Sequence, residues 1–137
     1  MNLKPLSPDF SVTPQIEAAD IAELAARGFQ SIIGNRPEGE APDQPAWSSL
    51  AVEAERQGMS ARQIPVVPGQ ISPDDVRRFA EALRDLPTPI AAFCRTGTRS
   101  AMLWAFANPN GLSVDERIAT AAAQGYDLAP LRDRMGR

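Results

Sequence analysis

Apolar positions along this chain alternate between two rhythms: short continuous runs, and longer stretches spaced as on one face of a helix. Phe10 to Thr13 reads as a short strand, after which Ile16, Ala19, Ile21, Leu24 and Ala25 recur at helical spacing until Gly28 supplies a left-handed stop. Phe29 to Ile33 is a buried strand, and Asn35 to Pro45 a polar loop broken by Pro37, Pro42 and Pro45 around Gly39. A helix from Trp47 to Gln57 follows, closed by Gly58. Met59 to Val67 is the next extended piece. Ser72 caps a further helix, with Pro73 at its first position and Asp75 three residues after the cap, and this helix runs to about Leu86.

Pro89 to Phe93 is a short apolar run that stops abruptly at Cys94, the pattern of a central strand in a parallel sheet. From Arg99 to Asn108 the chain is helical and almost entirely apolar through Ala101 to Phe106, which suits a helix buried in the core. Ser113 and Glu116 form a capping box for a helix to about Gln124, and Asp127 can cap a last short one. Strands interleaved with helices predict one α/β domain over residues 1–137: three layers, with a mostly parallel central sheet of four or five strands and helices on both faces. Ligands of such sheets bind beyond the carboxyl ends of the strands, and Cys94 sits at such an end.

Composition narrows the chemistry. The 137 residues contain no histidine and one cysteine, which excludes Cys-His and Ser-His catalysis, His-ligated metals and any internal disulfide. A metal or a resident cofactor is therefore not expected. The net charge of -3, with no block of lysine or arginine, gives no nucleic-acid footprint, and no apolar run reaches a membrane span. With no secretory signal at the amino end and a lone thiol, a cytoplasmic setting is expected.

What remains is Cys94 to Ser100, Cys-Arg-Thr-Gly-Thr-Arg-Ser. A loop from strand to helix turns successive backbone N–H groups into one concavity, and the helix start adds positive potential there. The loop reads as an anion cradle with Cys94 as a thiolate nucleophile in its field. Arg99 is expected to point back into the ring as a bidentate donor, Gly97 to permit the ring's backbone, and Ser100 to hydrogen-bond the sulfur when it leaves. Thr96, Gly97 and Thr98 line the cradle, and Arg95 either contacts substrate or faces solvent. A lone cysteine after an apolar strand is most often core, but two arginines and three hydroxyl residues make a poor continuation of a core.

Cys94 and Arg99 are separated by four residues, and this loop resembles the active loop of rhodanese-type sulfurtransferases; protein tyrosine and dual-specificity phosphatases place five there and a histidine where this chain has Phe93. The order of the remaining segments resembles a dual-specificity-phosphatase-like scaffold instead of a rhodanese: Gly28 to Glu40 (Gly-Phe-Gln-Ser-Ile-Ile-Gly-Asn-Arg-Pro-Glu-Gly-Glu), then Ile64-Pro65-Val66 before a helix, then the cysteine loop, with a helical tail. Together these features resemble the bacterial family described as beta-lactamase-hydrolase-like protein, phosphatase-like domain, also regarded as a sulfur transferase family and in some members fused to a persulfide dioxygenase. The resemblance implies a protein-tyrosine-phosphatase-like fold, with rhodanese-like as the alternative. It also implies that Asn35 and Arg36, in the Asn-Arg-Pro-Glu segment, lie near the cysteine loop, either contacting substrate or organising that loop through a pair between Arg36 and Glu38 or Glu40.

Three functions compete. The first is a sulfurtransferase, in which Cys94 takes sulfur from thiosulfate or a persulfide, holds it as a persulfide and passes it to a thiophilic acceptor, a persulfide dioxygenase being one conceivable partner. The second is a phosphatase acting through phosphocysteine; against it stand the short ring, expected to be too tight for phosphate, and the lack of an acid in Pro68 to Ser72. Asp74 and Asp75 read as first-turn helix residues, not as proton donors. The third is a module that captures a small anion or senses oxidants through Cys94.

Overall fold

The computed structural model describes residues 1–136. Five strands, β1 (Lys4–Ser7), β2 (Phe10–Thr13), β3 (Ser31–Gly34), β4 (Ser60–Gln63) and β5 (Ile90–Phe93), lie in the order β1-β2-β5-β3-β4. The pairings β2·β5, β5·β3 and β3·β4 are parallel, and β1 alone is antiparallel, on β2. The helices are α1 (Ala18–Ala26), α2 (Trp47–Arg56), α3 (Pro73–Asp85), α4 (Thr98–Ala107) and α5 (Val114–Ala123), followed by a 3-10 segment at Ala129–Met135.

The pleat sorts the apolar strand residues into two cores. Ile32, Ala91 and Phe93 pack with Ile21, Leu24, Leu50 and Ala54 of α1 and α2, whereas Ile33, Ile90 and Ala92 pack with Phe79, Leu103 and Trp104 of α3 and α4. Successive strand residues point to opposite faces, so the continuous apolar runs are read by both helix layers at once. Each isoleucine or leucine fully withdrawn from water here contributes about 1.5–3 kcal/mol.

The three-layer, mostly parallel architecture agrees with the sequence pattern, including the capping boxes Ser72/Asp75 and Ser113/Glu116, whose reciprocal hydrogen bonds are both formed. The piece expected from Met59 to Val67 is assigned as strand only to Gln63. Its pairing nevertheless continues: Ile64 N–H donates to the Gly34 carbonyl at 2.8 Å and Val66 N–H to that of Asn35 at 3.0 Å, on either side of Pro65, which has no N–H to give. The last element is a 3-10 segment whose N-cap position is Leu128 and not the expected Asp127; Asp127 Oδ1 accepts the Ala129 N–H at 3.1 Å from one residue further out.

Arg117 is a buried cation that, among the described residues, holds the second layer together through carbonyls and not through a carboxylate. Its Nη1 donates to the carbonyl of Ala105 at 2.6 Å and to that of Met135 at 3.3 Å, tying α5 to the negative end of α4 and to the 3-10 segment.

Candidate active site

Register places the site. Thr13 and Gly34 both pair with Phe93, so β2, β3 and β5 end level with one another and the loops that follow them converge. Asn35 N–H donates to the Phe93 carbonyl at 2.8 Å, and Gln15 N–H to that of Arg95 at 3.3 Å. Behind the end of β5, Trp47 stacks on Phe93 with centroids 6.2 Å apart. That approach needs Gly34, since a Cβ there would lie 2.6 Å from the indole.

Cys94 is fully buried at the turn from β5 into α4, and its Sγ accepts the Gly97 N–H at 3.1 Å. The thiol thus faces the Gly97 amide of the loop and belongs to neither apolar cluster. Gly97 has φ +92°, the left-handed conformation that lets the chain turn from the loop into α4. Beside the loop opens a cleft of about 530 Å³ lined by Arg36, Glu40, Arg95, Thr96, Thr98 and Arg99 among others. Thr96 and Thr98 bond one another through their hydroxyls at 2.9 Å.

Arg99 and Arg36 both turn to one acid. Arg99 Nη1 and Nη2 donate to Glu40 Oε2 and Oε1 at 2.7 and 2.9 Å, and Nη1 also donates to the Val66 carbonyl at 2.9 Å. Arg36 Nε donates to Glu40 Oε1 at 2.9 Å, and its Nη1 to Gln15 Oε1 at 3.1 Å. Hydrogen bonding from Arg99 holds the Glu40 carboxyl below its ordinary range, with Arg36 adding to this against a smaller opposing effect of burial. Burial works against the charge on Arg99, but Glu40 and Cys94 outweigh it and its pKa is raised. Glu40 is the one carboxylate among the described residues lining the cleft, and it is held ionised.

Of the residues expected from sequence, Cys94, Arg95, Thr96, Gly97, Thr98, Arg99, Asn35 and Arg36 are all brought to this place. Ser100 is a correction. Its hydroxyl donates to Asn35 Oδ1 at 2.8 Å and not to the sulfur, because the first turn of α4 aims it at the buried end of β3. Asn35 Nδ2 in turn donates to the Ile64 carbonyl at 2.9 Å, so Asn35 and Ser100 tie the loop after β3 to the helix behind the cysteine. Arg95 lines the cleft and is exposed. Of the two acids considered as partners of Arg36, Glu40 takes the role, while Glu38 accepts the Trp47 N–H at 2.7 Å and caps α2.

Two residues of the site escaped sequence reasoning. Glu40 was legible as an alternative partner of Arg36 but not of Arg99, 59 positions away. Tyr126, which no local pattern links to the loop, donates its hydroxyl to the Thr96 carbonyl inside the loop at 3.1 Å. Among the described residues no three His, Cys, Asp or Glu side chains are placed to hold a metal ion, and no helix is long and apolar enough to cross a membrane.

Comparison with known proteins places this geometry. A beta-lactamase hydrolase-like protein from Agrobacterium fabrum is 35% identical over 124 residues, 86% of this chain and 28% of its own length. One from Xylella fastidiosa is 29% identical over 130 residues, 93% of this chain and 30% of its own. The chain thus spans less than a third of the length of these curated relatives. Among solved structures, that of a candidate phosphatase from Neisseria meningitidis superposes with a TM-score of 0.87 at 34% identity, covering 98% of this chain and 96% of that one. The core catalytic domain of the PP-IP phosphatase Siw14 from S. cerevisiae shares the fold at a TM-score of 0.71 and 15% identity, over 98% of this chain and 83% of that one. The fold is therefore protein-tyrosine-phosphatase-like, as the segment order implied, and the names of the matching family and of the Neisseria structure fit the phosphatase alternative better than the sulfur transfer expected from the loop spacing. Residues 2–111 match the family described as beta-lactamase hydrolase-like protein, phosphatase-like domain, and the chain belongs to it.

Proposed function

We propose that the domain is a Cys94-dependent hydrolase of the phosphatase type that acts on small phosphate-like anions with leaving groups able to depart unprotonated. The observation that carries this reading is Cys94 Sγ in the strand-to-helix loop, accepting the Gly97 N–H at 3.1 Å, with Arg95, Thr98 and Arg99 of the same loop and helix start lining a cleft open to solvent. In the first step the thiolate attacks phosphorus; an S–P bond forms as the bond to the leaving oxygen breaks, and that oxygen keeps the electron pair. The loop amides and Arg99 take up the charge on the non-bridging oxygens. Water then attacks phosphorus, the S–P bond breaks, and phosphate and thiolate are released.

The state of Glu40 sets the substrate class. A carboxylate held ionised by two guanidiniums gives up no proton, and without an acid, alkoxide departure is slowed by about 10²- to 10⁴-fold. Aryl phosphates and phosphoanhydrides, whose leaving groups are weak bases, suit such a site. Turnover of p-nitrophenyl phosphate tests the reading: Cys94→Ser should abolish it, by at least about 10³-fold, and Arg99→Ala should reduce it strongly. Activity that survives Cys94→Ser would contradict it.

Sulfur transfer is the second reading, favoured by the four residues between Cys94 and Arg99. Here the thiolate attacks the outer sulfur of thiosulfate, the S–S bond breaks, and sulfite leaves with the electron pair, needing no proton. A persulfide dioxygenase partner belongs to this reading. One added sulfur on Cys94 after thiosulfate treatment, passed on to cyanide as thiocyanate, would favour it over hydrolysis.

A further inference from the structure

Tyr126 follows α5, outside the residues that the family match covers. It is buried, its backbone N–H is bonded to the Ala121 carbonyl at 3.0 Å, and Lys4 Nζ sits 4.7 Å from the centre of its ring. Its hydroxyl donates to the Thr96 carbonyl at 3.1 Å. The N–H of that same peptide unit is the Gly97 N–H, which donates to Cys94 Sγ at 3.1 Å.

The peptide unit is planar and trans, so its carbonyl and N–H point in opposite directions and a bond to one fixes the aim of the other. A flip of the Thr96–Gly97 unit would lose both bonds at once. The glycine on its far side makes such flips sterically easy, and the hydroxyl bond on the carbonyl joins the N–H bond to sulfur in opposing one. The hydroxyl is pressed close: a Cβ on Gly97 would lie 2.1 Å from Oη. A donor on the carbonyl also polarises the amide and strengthens the bond its N–H makes to sulfur.

We propose that Tyr126 is a positioning residue for the nucleophile, acting through the chain Tyr126 O–H to Thr96 C=O, and Gly97 N–H to Cys94 Sγ. The proposal rests on reading Cys94 as the nucleophile and not on which electrophile it attacks. Burial, and secondarily Cys94, push the phenol up to about 12, so it remains a donor at any pH at which the domain works.

Tyr126→Phe keeps the ring and removes the hydroxyl. With the hydroxyl bond gone, oxidation of Cys94 by hydrogen peroxide, followed as loss of the lone thiol, should slow by about tenfold at neutral pH, as expected for losing one hydrogen bond to a charged sulfur. The kcat for p-nitrophenyl phosphate should fall in parallel, with KM changed by less than about threefold. A lower melting temperature with the oxidation rate unchanged would overturn the proposal, because a purely structural tyrosine does just that. Slower oxidation in a protein that hydrolyses no phosphate would uphold Tyr126 while removing the hydrolase reading; Cys94-dependent hydrolysis indifferent to Tyr126→Phe would do the reverse. A second measurement leaves Tyr126 intact. It is the only tyrosine in the chain, so ultraviolet absorbance after a rapid pH jump reports its ionisation alone. The midpoint should fall when Cys94 is replaced by alanine; an unmoved midpoint would contradict the coupling.

Discussion

Arg99 gives both of its terminal nitrogens to Glu40, at 2.7 and 2.9 Å, so the guanidinium that should clasp a substrate anion is already clasping a carboxylate of its own chain. Glu40 holds the guanidinium in a bidentate pair, and in the proposed mechanism it is the group that an incoming anion displaces or shares. Arg99 is 9% exposed and Glu40 22%, so solvent weakens the pair only partly.

Glu40→Gln removes the charge but leaves the shape. Arg99 then lacks an ionic partner, and stability should fall by about 1–2 kcal/mol, less than for a fully buried pair. Inorganic phosphate should raise the melting temperature of the variant more than that of the parent, since it now supplies the missing charge. An equal or smaller rise in the variant would show that Glu40 does not occupy the anion's place.

The same pair predicts a response to acid. The folded-state pKa of Glu40 is below its ordinary value of 4.5, so its contribution is fully present above that value and is lost as pH falls through the folded one. Asp75, in the capping box of α3, is shifted in the same direction: burial opposes the shift, but bonds from Ser72 and Arg78 outweigh it. Urea midpoints should therefore drop as pH falls below 4.5, and the drop should be shallower in Glu40→Gln. Parallel curves for the two proteins would contradict the assignment.

Ser100→Ala leaves the buried Asn35 Oδ1 without its donor, which should cost about 1–3 kcal/mol of stability. Because the hydroxyl does not reach the sulfur, kcat should stay within about threefold of the parent. A large loss of kcat at unchanged stability would restore the role expected from sequence.

Gly97→Ala should fail on two counts, the left-handed φ of +92° and a Cβ 2.1 Å from the Tyr126 hydroxyl. Pairing it with Tyr126→Phe removes the 2.1 Å contact but leaves the ring carbon Cζ at 3.0 Å and the backbone strain, worth about 1–2 kcal/mol. Activity in the double variant should remain well below the parent's, and full recovery would show that the conformation of Gly97 is immaterial.

What the sequence made legible was local. Gly28 and Gly58, the pairs Ser72/Asp75 and Ser113/Glu116, and the apolar runs at Ile32 and Ala91 each carry their meaning within a few residues, and so does the Cys94 loop. The antiparallel β1 was not legible: Pro5 and a length of four residues give no strand pattern, and its place depends on the free edge of β2. The partners of Arg99, Ser100 and Thr96 lie 59, 65 and 30 positions away in the chain, where only the level ends of β2, β3 and β5 and the return of the chain after α5 bring them together. A hydroxyl next to an arginine looks from sequence like part of the chemistry. The fold decides instead which way the first turn of α4 aims it.

The covalent intermediate is the most direct test of whether Cys94 is the nucleophile. Protein quenched in acid during turnover of p-nitrophenyl phosphate should carry one phosphoryl group, mapped by mass spectrometry to the peptide containing Cys94 and absent from Cys94→Ser. Turnover with no adduct on that peptide, or an adduct on another residue, would contradict the account.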